Sequence, residues 1–168
     1  MSITNRLTEA KLLYDAGHHE GALLSVLVAV AGSSRRRFPR GTKSLKNPKK
    51  DMGDCEAFET FMGHEMKRVG VCSVWFHERC NSAENIFYKW LRCSLAHEAE
   101  LPEQIIFQPG PSSCEASIKR DQGPPERLIV THSIILLIAY VVSTAAENTD
   151  VSASVRRSLS PGETTLVK

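Results

Sequence analysis

Ile86-Phe87-Tyr88-Lys89-Trp90-Leu91-Arg92-Cys93-Ser94-Leu95-Ala96-His97-Glu98 is the stretch on which the fold class turns. Ile86, Phe87, Trp90, Leu91 and Leu95 recur at three- and four-residue steps, the spacing of one apolar face of a helix. Ser82 or Asn81 is the candidate N-cap, and Pro102 marks the end. Away from the apolar face the stretch carries Arg92 and, five residues on, His97. Arg is a permanent cation whose planar fork suits phosphate. His is the side chain whose unperturbed pKa lies nearest neutrality.

Upstream, Leu7, Ala10, Leu13 and Tyr14, stopped by Gly17, read as a short amphipathic helix. From Ala22 to Ala31 nearly every residue is apolar, as in a helix buried on all sides. Arg35, Arg36 and Arg37 follow its end, where cations suit the negative pole of the helix dipole. Phe38 to Gly53 has no apolar periodicity and reads as a loop. Asp54 is a candidate N-cap for a helix whose core stripe is Phe58, Phe61, Met62, Glu65, Met66 and Val69. Val71 to His77 fits either a short strand or a helical turn. After Pro102, Ile105–Gln108, Ala116–Arg120 and Arg127–Val130 read as three short strands set apart by Pro- and Gly-rich turns. A last helix is expected from Ser133 to Ala146. The expectation is a mainly α protein: a bundle of about four to five helices over residues 1–146, with a small antiparallel β insert at about 105–130. The polar stretch 147–168 is expected to be a disordered tail.

At 168 residues and 42% hydrophobic content the chain suits one domain with a real core. Its net charge is only +2, yet Arg35, Arg36, Arg37, Arg40, Lys43, Lys46, Lys49 and Lys50 form a block without an acid. Such a block can hold a polyanion, which makes Arg35, Arg36, Arg37, Arg40, Lys43 and Lys46 candidate RNA contacts. A solvated loop held open by its own repulsion is the other reading. Five cysteines, no CxxC pair and no apolar signal segment after Met1 point to free thiols and a cytoplasmic setting. Leu128 to Val142 is apolar, but Thr131, His132 and Ser133 interrupt it and it falls short of the ~20 residues of a membrane span. Cys72, His77 and Cys80, with His64 upstream, lack the tight pair of a zinc site, so no metal or other cofactor is expected. Trp75 and Trp90 read as core, and His18-His19-Glu20 as capping or surface residues.

Cleaving a phosphodiester through the ribose 2′-OH needs a base, an acid for the leaving oxygen, and positive charge on the developing phosphorane. His97 can serve as base or acid and Arg92 as the cation. On a regular helix the two stand roughly 140° apart, so one helix presents them poorly to one phosphate. Either His97 sits at a loosened helix end, or two copies face each other across a two-fold axis. The structural alternative is Arg92 paired with Glu98 or Glu100, and His97 as a cap.

From Ala10 to Glu103 the sequence resembles the HEPN superfamily of helical bundles. Ala10-Lys11-Leu12-Leu13-Tyr14-Asp15-Ala16-Gly17 and the apolar helix ending at Ala31 look like its first two helices. The Asp54-Cys55-Glu56-Ala57-Phe58 helix follows the basic loop. Leu91-Arg92-Cys93-Ser94-Leu95-Ala96-His97-Glu98 occupies the place of its R-x(4–6)-H motif. The resemblance implies a metal-independent endoribonuclease acting on tRNA or other RNA, a toxin or defence effector that forms a homodimer and pairs with a cognate antitoxin protein. Arg92 and His97 match the catalytic pair, with Cys93, Ser94 and Glu98 as supporting residues. Where the family often has Asn, Asp or His after the Arg, this chain has Cys93, a weaker hydrogen-bonding group. The alternative within the same resemblance is a non-catalytic module that binds RNA, a nucleotide or a protein.

Overall fold

In the computed structural model, which describes residues 2–70, 73–76, 78–110 and 116–159, the chain packs about its second helix. Helix α2 (His19–Arg37) buries Ala22, Leu23, Val26, Leu27, Ala29 and Val30. Helices α1 (Ile3–Asp15), α3 (Asp54–Arg68) and α6 (Ile134–Ser143) lie against it. Leu7, Phe58, Phe61, Met62, Ile135 and Ile138 complete this core, each at most 0% exposed. Burial of such side chains contributes about 1.5–3 kcal/mol apiece against leaving them in water. Arg35, Arg36 and Arg37 form the last turn of α2 rather than following it. Gly53, not Asp54, holds the N-cap position of α3, and Asp54 and Glu56 sit in the first turn, where acids suit the dipole.

The protein is mainly α with two small sheets. Val71 to His77 is strand where described: β1 (Ser73–Phe76) pairs antiparallel with β2 (Arg79–Ser82). The three strands expected near 105–130 are present as β3 (Ile105–Gln108), β4 (Ile118–Asp121) and β5 (Arg127–Thr131). The sheet is mixed, however, not antiparallel. Its order is β3-β5-β4, with β5 antiparallel to β4 and parallel to β3. β5 buries Leu128 and Val130 and takes the centre, whereas Lys119 and Arg120 of β4 are exposed and suit an edge.

Helix α6 is apolar nearly throughout and buried, but it has 10 residues. No helix among the described residues is long and apolar enough to cross a membrane. The segment after Glu147 departs from the expected disordered tail as far as Leu159. Asn148, Val151 and Leu159 are buried, and Ala153–Leu159 forms α7. Asn148 donates to Ser33 Oγ and to the Val142 carbonyl, both at 2.8 Å, and Arg36 holds Asp150 at 2.6 and 3.0 Å. Residues 160–168, the rest of the expected tail, lie outside the described residues.

A charge cluster fastens the end of α2 to α3 and to the chain beyond α6. Glu65 is 1% exposed. Its carboxylate accepts from Arg37 at 2.5 Å and from Arg68, and meets His64 Nδ1 at 3.0 Å. Arg37 also takes Glu147 in a forked pair and lies over the Phe61 ring, 4.6 Å from its centroid. Burial pushes the Glu65 carboxyl up, but hydrogen bonds from Arg37, His64 and Arg68 outweigh it and hold the group below its ordinary value.

Removing one member of a buried ionic cluster strands the others. Glu65→Ala is therefore expected to lower the unfolding free energy by roughly 3–5 kcal/mol in urea titrations. A loss under about 1 kcal/mol would reduce the cluster to surface pairing. Because the folded carboxyl titrates low, its stabilisation is complete above the unfolded value of about 4.3 and is lost as pH falls from there through the folded value. The variant should lack that acid-dependent component.

Candidate functional site

Arg92 and His97 lie on one helical course built from three segments. Helix α4 (Ala83–Asn85) runs into a π-helix (Ile86–Arg92), which returns to α-helix in α5 (Cys93–His97). The Cys93 N–H donates to the Tyr88 carbonyl, five residues back, whereas Glu98 N–H reaches Ser94, four back. In the π register five residues close one turn. Ile86 and Leu91 thereby share the buried face, and Arg92 falls beside the column of buried Phe87.

That register seats Arg92 half-buried on an aromatic shelf. Its Cζ is 5.3 Å from the Tyr88 ring centroid and 6.0 Å from that of Phe58. The two rings meet edge to face at 5.2 Å. The Arg92 Nε is buried without a hydrogen-bond partner, and among the described residues the guanidinium is in no ion pair. Neither Glu98 nor Glu100 holds it; both are exposed. Burial pushes the Tyr88 phenol up, with Cys55 and Cys93 adding to the rise, so its hydroxyl stays a donor at neutral pH. Burial also raises the Cys55 thiol, seconded by Glu59.

His97 ends α5, exposed and without an ion pair among the described residues. The stretch from Arg92 to His97 is α-helical, so the two diverge by roughly 140° as on any regular helix. Arg92 lies over the Tyr88–Phe58 shelf and His97 is exposed. Of the supporting residues, Ser94 is buried, Cys93 is half-buried and Glu98 is exposed. Ala99, just past the helix, holds a φ of 61°, a left-handed conformation that disfavours a Cβ.

The basic block is stitched to acids from elsewhere in the chain. Arg35 holds Asp54, Arg36 holds Asp150, and Arg37 holds Glu65 and Glu147. Lys43 meets Asp51 at 2.8 Å and Lys46 meets Glu59 at 3.7 Å. Only Arg40 of the six candidate RNA contacts is in no ion pair among the described residues. A hydrogen bond to Asp150 raises the Arg36 guanidinium above its ordinary value. Five of those six cations are thus paired with carboxylates, Lys43 and Lys46 at the exposed surface. A cavity of about 590 Å³ opens beside it, lined by Arg37, Phe38, Thr60, His64, Ala146 and Glu147. No group of three or more metal-ligating side chains occurs among the described residues. Cys72 and His77 lie outside them.

The sequence profile of the Rv1289 family matches residues 2–165, and the chain belongs to that family. No curated protein and no solved structure matches it.

The seating of Arg92 generates a stability test. Replacing it with Leu forfeits a cation–π contact worth about 0.5–1 kcal/mol. It also removes an unsatisfied buried Nε that costs about 1–3 kcal/mol. Arg92→Leu should therefore unfold within about 1 kcal/mol of the parent in urea. A larger loss would mean that Arg92 holds the fold together instead of waiting for a ligand.

Proposed function

We propose that this member of the Rv1289 family is an RNA-binding module in which Arg92 takes a backbone phosphate. The reading is supported by one observation above others: α2 pairs each of its three terminal arginines with an acid, while Arg92 keeps a half-desolvated guanidinium with none. A desolvated, pre-seated cation binds phosphate more strongly than one moving freely in water, and Arg does so with a fork. Tyr88 beneath it adds a neutral hydroxyl donor and a face on which a base can stack. The HEPN resemblance and its bundle of four to five helices give the same segment the same role.

A second reading is the metal-independent endoribonuclease. It is favoured by the accessibility of both motif residues: His97 is exposed and Arg92 lacks an acid. With roughly 140° between them on a regular helix, catalysis would use a homodimer in which His97 of one copy meets the phosphate on Arg92 of the other. There His97 would take the ribose 2′-OH proton while the 2′-oxygen attacks phosphorus. The bond to the 5′-oxygen would break, and a second His97 or water would protonate that oxygen. Arg92 would neutralise the phosphorane. An antitoxin partner and a defence role belong to this reading.

Fluorescence anisotropy with single-stranded RNA separates the cases. Arg92→Ala should weaken binding by about tenfold or more, the worth of a charge-assisted contact, on every sequence tried. Neutralising Lys43 should change little. The reverse ranking would return RNA binding to the basic loop. Cleavage of tRNA in EDTA, abolished by both Arg92→Ala and His97→Ala, would establish the nuclease. Intact RNA with undiminished binding would leave the module.

A further inference from the structure

Two small cavities flank the start of the same helical course. The first, about 380 Å³, is lined by Arg79, Cys80, Asn81, Ser82, Asn85 and Lys89. It contains no carboxylate. Arg79 and Lys89 are both exposed and in no ion pair among the described residues, unlike the paired cations of α2. Ser82 caps the helix in extended conformation with its side chain making no cap bond.

The second cavity, about 320 Å³, shares Ser82 and Asn85 with the first and adds Lys46, Glu59, Thr60 and Glu84. Here the acids gather. Asn85 Nδ2 donates to Glu59 Oε1 at 3.2 Å across the boundary. Glu84 is admitted against α3 by Gly63: a Cβ at that position would lie 3.1 Å from Glu84 Oε1. A cationic, acid-free compartment suits a phosphate. A compartment with carboxylates and a Thr hydroxyl suits sugar hydroxyls, which donate to carboxylate oxygens.

We infer that the paired cavities form a ribose-phosphate site, with the phosphate between Arg79 and Lys89 and the ribose hydroxyls on Glu59 and Glu84. The combined space falls in the range of small-ligand pockets, roughly 300–1,000 Å³. The site does not rest on the proposed RNA binding.

Calorimetric titration of the full chain with ribose 5-phosphate, inorganic phosphate and ribose tests it. Ribose 5-phosphate should bind saturably at millimolar concentration or below, phosphate more weakly and ribose least. Arg79→Ala and Lys89→Ala should each weaken ribose 5-phosphate by about tenfold. Glu84→Gln should erase the advantage of ribose 5-phosphate over phosphate. Circular dichroism of each variant checks that it folds. No saturable binding, or binding that survives Arg79→Ala with Lys89→Ala, would overturn the site. Equal affinity for phosphate and ribose 5-phosphate in the parent would overturn the ribose assignment.

Discussion

Glu65 is the constraint on which the rest of the structure depends. A carboxylate that is 1% exposed must be matched, and Arg37 and Arg68 match it. Arg37 in turn requires Glu147, which draws the chain beyond α6 back onto α2 and α3. Arg36 and Asp150 continue the same seam to Asn148 and so to Ser33 in α2. Apolar burial holds the helices together, but it is indifferent to small slides. The ionic seam sets where the end of α2 stands against its neighbours.

This arrangement also decides where positive charge is free. The arginines of α2 are consumed by the seam, and Lys43 and Lys46 by local acids. Arg92 on its aromatic shelf and the Arg79–Lys89 pair at the helix start have no acid among the described residues. Both belong to the segment from β2 through the π-helix. The π register matters here because its wider turn brings Arg92 beside the Phe87 column and over Tyr88, where water is partly excluded. π-helical turns recur at functional sites for this kind of reason.

Much of the fold could be read from the chain. The Phe58, Phe61, Met62 stripe, the apolar run from Ala22 and the short β-branched runs near Ile105 and Leu128 each fall in the element their period implies. What the periodicity could not show was pairing. Which strand sits centrally, and in which direction its neighbours run, is a relation among three strands and not a property of one. The basic block misled because its partners are distant: Glu147 and Asp150 lie more than a hundred residues downstream, inside a stretch whose polarity read as disorder. The π-helix was hidden because Ile86, Phe87 and Leu91 satisfy α spacing well enough. The Tyr88-to-Arg92 step of four was a visible cue to a stacked cation, whereas Arg79 and Lys89 carry no local pattern at all.

The central claim is that Arg92, and not the basic block, receives the phosphate. Its most direct test is the NMR resonance of each arginine Nε–Hε group during titration with a short single-stranded RNA. The account predicts that the Arg92 signal shifts saturably, with the backbone amides of Tyr88 and Cys93, while the signals of Arg35, Arg36 and Arg37 stay in place. A titration that moves the arginines of α2 and leaves Arg92 unmoved would contradict it.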